Sequence, residues 1–205
     1  MKLLISLILM SMLAGCATQP SQATKEELSK LPSSHGVMVA SYARSSPSER
    51  FSNEAVYFRK VGSRKRKEIG IHTMFMAPLN FDFKNNESCG SLVVMSLPEG
   101  DYEMYDYAVI QDVFGGTITH TPRSPFSIPF KVLAGKISYF GELKINRIHG
   151  TKFLGISGND SVQFEISDQS KRDLAILRQK YPDLGYPVSL VKPSRECSTP
   201  FFRIE

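Results

Sequence analysis

Histidine and cysteine are the residues of this chain that are best suited to bind a metal ion or to attack a substrate. The chain has four histidines and three cysteines: His35, His72, His120, His149, Cys16, Cys89 and Cys197. No two histidines lie four residues apart, and no two cysteines have the CxxC spacing of zinc sites. We therefore expect neither a metal centre nor another cofactor.

The candidate nucleophiles are equally weak. A thiolate at Cys89 needs a nearby base, and no histidine stands close to it in the sequence. Residues 155–159 (GISGN) carry Asn159 where a nucleophile elbow has glycine, so we expect a turn there. These observations predict that the chain is not an enzyme.

Basic residues form the densest cluster of charge. Six cations lie within nine residues, namely Arg59, Lys60, Arg64, Lys65, Arg66 and Lys67. Extended apolar runs at 55–58 and 69–72 flank them and predict a hairpin with a basic tip. Such a tip either attracts an anionic surface or is a solvated end that protects a sheet edge from aggregation.

Residues 111–125 (QDVFGGTITHTPRSP) form a long connection between two predicted strands. Long connections in compact domains are often functional, and Phe114, His120 and Arg123 are the side chains most suited to recognition. An ordinary surface loop without a binding role is the alternative.

Tyr105 and Tyr107 are expected to share one strand face, either as a sugar-binding platform or as part of the core.

The elements that must position these residues are mostly strands. The chain has 205 residues, 41% of them hydrophobic, and a formal charge of +5, which excludes collagen-like, disordered and polytopic membrane proteins. Residues 91–97 (SLVVMSL) indicate a buried strand, and 128–132 and 162–166 alternate apolar with polar residues. Alternation from 137 to 145 predicts that Ile137, Tyr139, Gly141, Leu143 and Ile145 share one face. The spacing predicts a single antiparallel β-sandwich over 36–205.

One helix is predicted near 169–181. Ser170 and Asp173 have the spacing of a capping box, and Leu174, Leu177 and Tyr181 recur on one helix face. We expect this helix to pack on the sandwich.

The N-terminus resembles a bacterial lipoprotein signal. A short apolar run from Leu3 to Met12 precedes Leu13-Ala14-Gly15-Cys16, which resembles a lipobox. The resemblance implies that residues 1–15 are a signal peptide and that Cys16 carries lipid; a buried N-terminal helix with an incidental cysteine is the alternative. Residues 16–35, rich in Ser, Thr, Gln and Pro, are predicted to be a flexible tether that could include a short helical turn from Glu26 to Lys30. In lipoproteins of this kind an aspartate directly after the lipidated cysteine favours retention in the inner membrane. Ala17 stands at that position, so the resemblance implies the periplasmic face of the outer membrane.

Lipidation of Cys16 would leave one pair of cysteines in an oxidising compartment. Cys89 and Cys197 are therefore expected to form a disulfide, the alternative being two unbonded thiols.

A second resemblance concerns the fold. Residues 97–103 (LPEGDYE) and 128–141 (IPFKVLAGKISYFG) are similar to a pattern in uncharacterised bacterial envelope lipoproteins. Those proteins carry a transthyretin-like or carboxypeptidase-regulatory-like β-sandwich, a module that is usually non-catalytic.

Taken together, the residues and both resemblances imply a binding or assembly module of the cell envelope. Its partners would be the membrane, through lipid, and an envelope protein or an anionic glycan or lipid, whereas nucleic acid is not expected. An envelope hydrolase that acts on glycan or peptide is one alternative, and a structural or regulatory subunit of an envelope complex is another.

Overall fold

The computed structural model describes residues 22–45, 53–72, 80–113, 116–148, 152–153, 156–157 and 161–205. The chain is mainly β, as predicted. Its strands are β1 His35–Arg44, β2 Asn53–Lys60, β3 Lys67–His72, β4 Phe83–Lys84, β5 Cys89–Pro98, β6 Gly100–Val113, β7 Gly116–His120, β8 Ile128–Val132, β9 Ile137–Ile148, β10 Lys152–Phe153, β11 Ile156–Ser157, β12 Ser161–Ser167, β13 Val188–Leu190 and β14 Phe202–Ile204.

The described part of the chain also has two α-helices, α1 Lys25–Ser29 and α2 Ser170–Lys180, and a short 3₁₀ helix at Arg195–Cys197. None of its helices is both long enough and apolar enough to cross a membrane.

The strands form two principal sheets. The larger has the order β14-β12-β9-β1-β5-β4, with β13 also beside β9, and the smaller has the order β3-β2-β6-β7, with β8 also beside β6. Within the described residues, strands β10 and β11 form a separate two-stranded sheet. The smaller sheet is antiparallel, but β1–β9, β13–β9 and β12–β14 are parallel pairs.

The predicted single antiparallel sandwich with one helix is not confirmed in that form. The larger sheet is mixed because β1 pairs with β9, a strand far along the chain, and no tight turn between the two imposes antiparallel pairing. A second helix, α1, is also present.

One hydrophobic core lies between the two sheets. Tyr107 of β6 packs edge-on against Phe164 of β12, with ring centroids 5.2 Å apart. A buried ion pair joins β1 to β2, with Arg44 Nε 2.8 Å from Glu54 Oε1. The middle of β6 therefore lies against β12, and the beginning of β2 lies against the end of β1.

A bulge in β9 changes which of its side chains reach this core. Val39 pairs with Tyr139, but the next residue, Ala40, pairs with Gly141, so Phe140 is an extra residue. Ile137 and Tyr139 consequently lie on the outer face, and Phe140, Leu143 and Ile145 lie in the core between the sheets. The predicted single face from 137 to 145 is wrong because such a bulge reverses the alternation.

The outer face of the larger sheet is covered by both helices and by the chain that precedes β1. The Gln22 side chain donates to the Leu92 carbonyl at 2.7 Å, and the Ala23 amide donates to the Val94 carbonyl at 2.8 Å. Leu28 of α1 is buried. The tether predicted over 16–35 is therefore wrong from residue 22 onward, because these few apolar side chains complete a second core; residues 16–21 lie outside the described part.

Candidate functional site

The predicted basic hairpin is present. Strands β2 and β3 pair antiparallel with Phe58 opposite Lys67, which leaves residues 59–66 as its end. Gly62 adopts a positive φ of 79° in the turn, a conformation that glycine tolerates without strain. The strand pair therefore holds the basic residues on a folded support.

Two of the six cations are held at the base of the hairpin. Arg59 Nε lies 2.8 Å from Glu103 Oε1, and the Arg59 guanidinium also lies over the Tyr105 ring. Lys60 Nζ donates to the carbonyl oxygen of Glu99 at 2.6 Å. The hydrogen bonds that Glu103 accepts from Arg59 and Ser127 lower the pKa of its carboxyl group. These two cations are therefore used within the fold.

The four cations at 64–67 are exposed. None of them forms an ion pair with a carboxylate in the described part of the chain. The Arg66 guanidinium lies 4.1 Å from the centroid of the Tyr57 ring, which restricts that side chain. The tip consequently presents positive charge that is not held in ion pairs within the described residues.

The connection predicted over 111–125 is largely regular structure. Strand β7 pairs antiparallel with β6, with Gln111 opposite Ile118 and Val113 opposite Gly116. His120 is half-buried opposite Val109, Arg123 is exposed, and Phe114 lies outside the described residues. The prediction of a long loop is therefore wrong for most of this range, because a Thr-Ile-Thr sequence suits an edge strand, and the recognition role of Phe114, His120 and Arg123 stays a prediction.

A bulge in β6 separates the tyrosines that were expected to share a face. Phe58 pairs with Met104 but Tyr57 pairs with Asp106, which leaves Tyr105 as the extra residue. Tyr107 is consequently in the core, and Tyr105 lies outside it beneath Arg59. The pair cannot form one platform.

The expected disulfide between Cys89 and Cys197 is absent. Cys89 begins β5, and Cys197 lies just before β14, which is four strands away from β5 in the larger sheet. Four strand spacings amount to about 19 Å, far more than the roughly 7 Å that a disulfide allows between Cα atoms. Cys16 lies outside the described part of the chain.

A buried polar cluster beneath α2 is the feature that sequence reasoning missed. Asp173 Oδ2 accepts hydrogen bonds from Ser41 Oγ at 2.6 Å and from Tyr139 Oη at 2.7 Å. Its other oxygen lies 2.7 Å from Arg172 Nη2, and the same nitrogen reaches Glu142 Oε2 at 2.7 Å. The predicted capping role of Asp173 is wrong, because Asp168 instead accepts the amide hydrogen of Ser170 at 2.9 Å.

The hydrogen bonds and ion pairs of this cluster join α2 to β1 and β9, and we call this set of contacts the clamp. Burial raises the pKa of the Tyr139 hydroxyl and neighbouring Asp173 raises it further, so Tyr139 stays protonated and donates. Burial also raises the pKa of Glu142, although Arg172 opposes that shift. Ser41 and Asp173 are fully buried, so the cluster is closed to a substrate in this structure.

Metal-binding geometry is also absent from the part of the chain that the structure describes, where no three His, Cys, Asp or Glu side chains are grouped suitably.

Comparisons with known proteins add little. No protein-family model matches the chain, and no curated protein matches it either. A solved leucine-rich repeat protein from Bacteroides thetaiotaomicron is similar at 14% identity and a TM-score of 0.31. That match covers 54% of this chain and 14% of the repeat protein, so it spans a small part of that protein's length.

Proposed function

We propose that this chain is a lipid-anchored envelope protein that acts as a non-catalytic binding or assembly module. Cys16 carries the anchor, and a folded domain faces the periplasm from the outer membrane. The domain is a sandwich of the transthyretin-like or carboxypeptidase-regulatory-like type. Its two sheets around one core support that assignment, and the lipobox resemblance supports the anchor.

The observation that carries the binding role is the exposed cluster of four cations at 64–67, which form no ion pairs within the described residues, on a folded hairpin. Each cation near an anionic membrane contributes about 1 kcal/mol of attraction, which screening by salt reduces. A folded support keeps the four side chains together, so their contributions act on one partner surface. An anionic lipid or glycan of the envelope is the partner that this charge fits.

A protein partner is a second candidate, favoured by the exposed strand β7. It is the outermost strand on its side of the smaller sheet, and Ile118 is 42% exposed. A strand with such an edge can pair with an extended segment of another protein. This geometry would suit a structural or regulatory subunit of an envelope complex.

Fractionation tests the anchor, and crosslinking tests the partner. Replacement of Cys16 by serine should move the protein from the membrane to the soluble periplasmic fraction with an unchanged circular dichroism spectrum. Continued membrane association would contradict the anchor. Crosslinking in intact cells should capture anionic lipid or glycan at the lysines of the hairpin, whereas one dominant protein captured near β7 would favour the second candidate.

A further inference from the structure

The length of chain between Cys16 and the first packed residue limits how far the domain can stand from its membrane. Five residues, 17–21, separate Cys16 from Gln22. Six Cα–Cα steps span at most about 22 Å, whereas a tether running to residue 35 would reach about 65 Å. If Cys16 is lipidated, as the proposed function requires, the domain is held close to the bilayer.

The packed N-terminal segment lies along one edge of the larger sheet. Gln22 and Ala23 bond the carbonyls of Leu92 and Val94, which lie on the side of β5 away from β1. Further along, the Glu99 amide donates to the Ser34 carbonyl at 2.8 Å. The segment therefore follows β5 from Leu92 to its end.

The basic hairpin lies on this same side of the molecule. Strand β6 begins at Gly100, beside the end of β5, and the end of β2 pairs with this beginning, with Lys60 opposite Tyr102. Strand β7 instead pairs with residues 109–113 near the other end of β6, beyond the point where Tyr107 packs against Phe164 of β12. Lys60 bonds the carbonyl of Glu99, the residue whose amide bonds Ser34. The segment that leads to the anchor and the base of the hairpin are thus joined through one residue.

Distances along the fold show that the basic hairpin and the N-terminal segment can reach the bilayer at the same time. Glu99 follows Leu92 by seven positions, about 23 Å of extended chain along β5 and just past its end. This distance is close to the roughly 22 Å that residues 17–21 can span. A domain that lies with the β5 edge toward the bilayer can therefore bring both the hairpin and the lipid anchor to the headgroups. The opposite edge, four strands away at β14, is about 19 Å further out, beyond the roughly 8 Å screening length of physiological salt.

We infer that the side formed by residues 22–34, β5 and the β2–β3 hairpin rests on the bilayer that holds the anchor. The cations at 64–67 contact the phosphates of its own membrane, and β7 points away from it. The partner of the basic tip is therefore the anionic lipid headgroup of that membrane, rather than a soluble glycan.

Tryptophan fluorescence can test this orientation because the chain has no tryptophan of its own. Single probes are placed by Val61→Trp, at the hairpin turn, and by Ile118→Trp, on β7, both of which are exposed positions. The full lipidated chain is reconstituted into phosphatidylethanolamine–phosphatidylglycerol vesicles that carry a headgroup quencher. We expect quenching at least about twofold stronger at position 61 than at 118, because the cations hold the hairpin at the anionic surface.

Two changes should abolish that difference. A flexible Gly/Ser insertion of about twenty residues between Ser21 and Gln22 adds roughly 25 Å of mean reach and releases the domain. Replacement of Arg64, Lys65 and Lys67 by glutamine should also reduce quenching at position 61. The matched control replaces the exposed cations Lys171, Arg178 and Arg195 by glutamine, removes the same charge elsewhere, and should retain the quenching.

Each contrary result has a distinct meaning. A chain that does not float with vesicles, or whose N-terminal peptide carries no lipid by mass spectrometry, overturns the proposed anchor. A vesicle-bound chain with equal quenching at both positions, with quenching unaltered by the insertion, or with equal effects of the two charge variants overturns the orientation. A probe at position 61 that responds to soluble polygalacturonate but not to vesicles overturns it in favour of a glycan.

Discussion

Tyr139 on β9 donates a 2.7 Å hydrogen bond to Oδ2 of Asp173 on α2, and the same oxygen accepts a 2.6 Å bond from Ser41 on β1. Asp173 is fully buried, so each donor replaces a water molecule that the carboxylate loses on folding. The pair therefore fixes the position of α2 over the outer face of the larger sheet.

Tyr139→Phe should lower the free energy of unfolding by about 1.5–3 kcal/mol, the usual contribution of a hydrogen bond to a charged group. The ring remains in place, so the change removes the hydroxyl alone. Denaturant unfolding measures the loss. Tyr186→Phe is the matched control, because its hydroxyl makes no hydrogen bond to a described residue, and an equal effect of the two changes would contradict the clamp.

Leu28→Ala should destabilise the domain by about 2–5 kcal/mol, because it removes a buried side chain that packs between α1 and the sheet. Leu28 is 2% exposed, whereas Leu190 is 61% exposed, so Leu190→Ala is the same chemical change at a solvated site. Thermal and denaturant unfolding of both variants give the comparison. A neutral Leu28→Ala would mean that residues 22–35 are a tether after all.

Neutralisation of Arg64, Lys65 and Lys67 should weaken binding of the Cys16→Ser chain to phosphatidylglycerol vesicles by about tenfold or more, given about 1 kcal/mol per cation before screening. The dependence of binding on salt should also become shallower, because fewer counterions are displaced. Vesicle sedimentation across a salt series measures both effects. The change at Lys171, Arg178 and Arg195 should weaken binding less, and equal losses would leave only net charge as the cause.

Ionised Glu103 should stabilise the folded chain at pH values above the ordinary pKa of a glutamate. This stabilisation should be lost in acid. Hydrogen bonds from Arg59 and Ser127 hold its folded pKa below the ordinary value of 4.5. The folded state therefore binds this proton less readily than the unfolded state does, and stability falls as pH drops through the folded pKa.

Unfolding free energies measured from pH 7 to pH 3 test that sign. Glu103→Gln should make the loss of stability below about pH 4.5 shallower than in the native chain. Glu87→Gln, at an exposed turn, is the control and should leave the slope as it is. An unchanged slope in Glu103→Gln would mean that the bond to Arg59 does not persist in solution.

The two cysteines of the domain should differ in reactivity. Cys197 is half-buried and should be alkylated in the native chain, whereas buried Cys89 should react only after unfolding. Peptide mapping without reduction should find no Cys89–Cys197 linkage. A linkage would require the two edges of the larger sheet to approach each other.

The predictable parts of this protein are those that neighbouring residues determine. Alternating apolar residues and turn residues predicted a mainly β chain, and the runs beside 59–67 predicted the basic hairpin, because strand pairing across a short turn is a local matter. The helix near 169–181 follows from its apolar spacing and from Pro182 for the same reason.

Tertiary structure alone decided where the buried partners lie. Asp173 has the spacing of a helix cap, yet its partner Ser41 is 132 residues away, and no local pattern reports such a contact. Single extra residues at Phe140 and Tyr105 reversed the faces of two strands, which a period of two cannot anticipate.

The N-terminal segment shows the same division. Residues 22–35 have the composition of a linker, but Ala23 and Leu28 are buried because they complete a sheet face that strands far along the chain create. A sequence states how polar a segment is. Whether its few apolar side chains find a surface to cover depends on the sheet that the rest of the chain assembles, and that assembly determines how close the domain lies to any anchor.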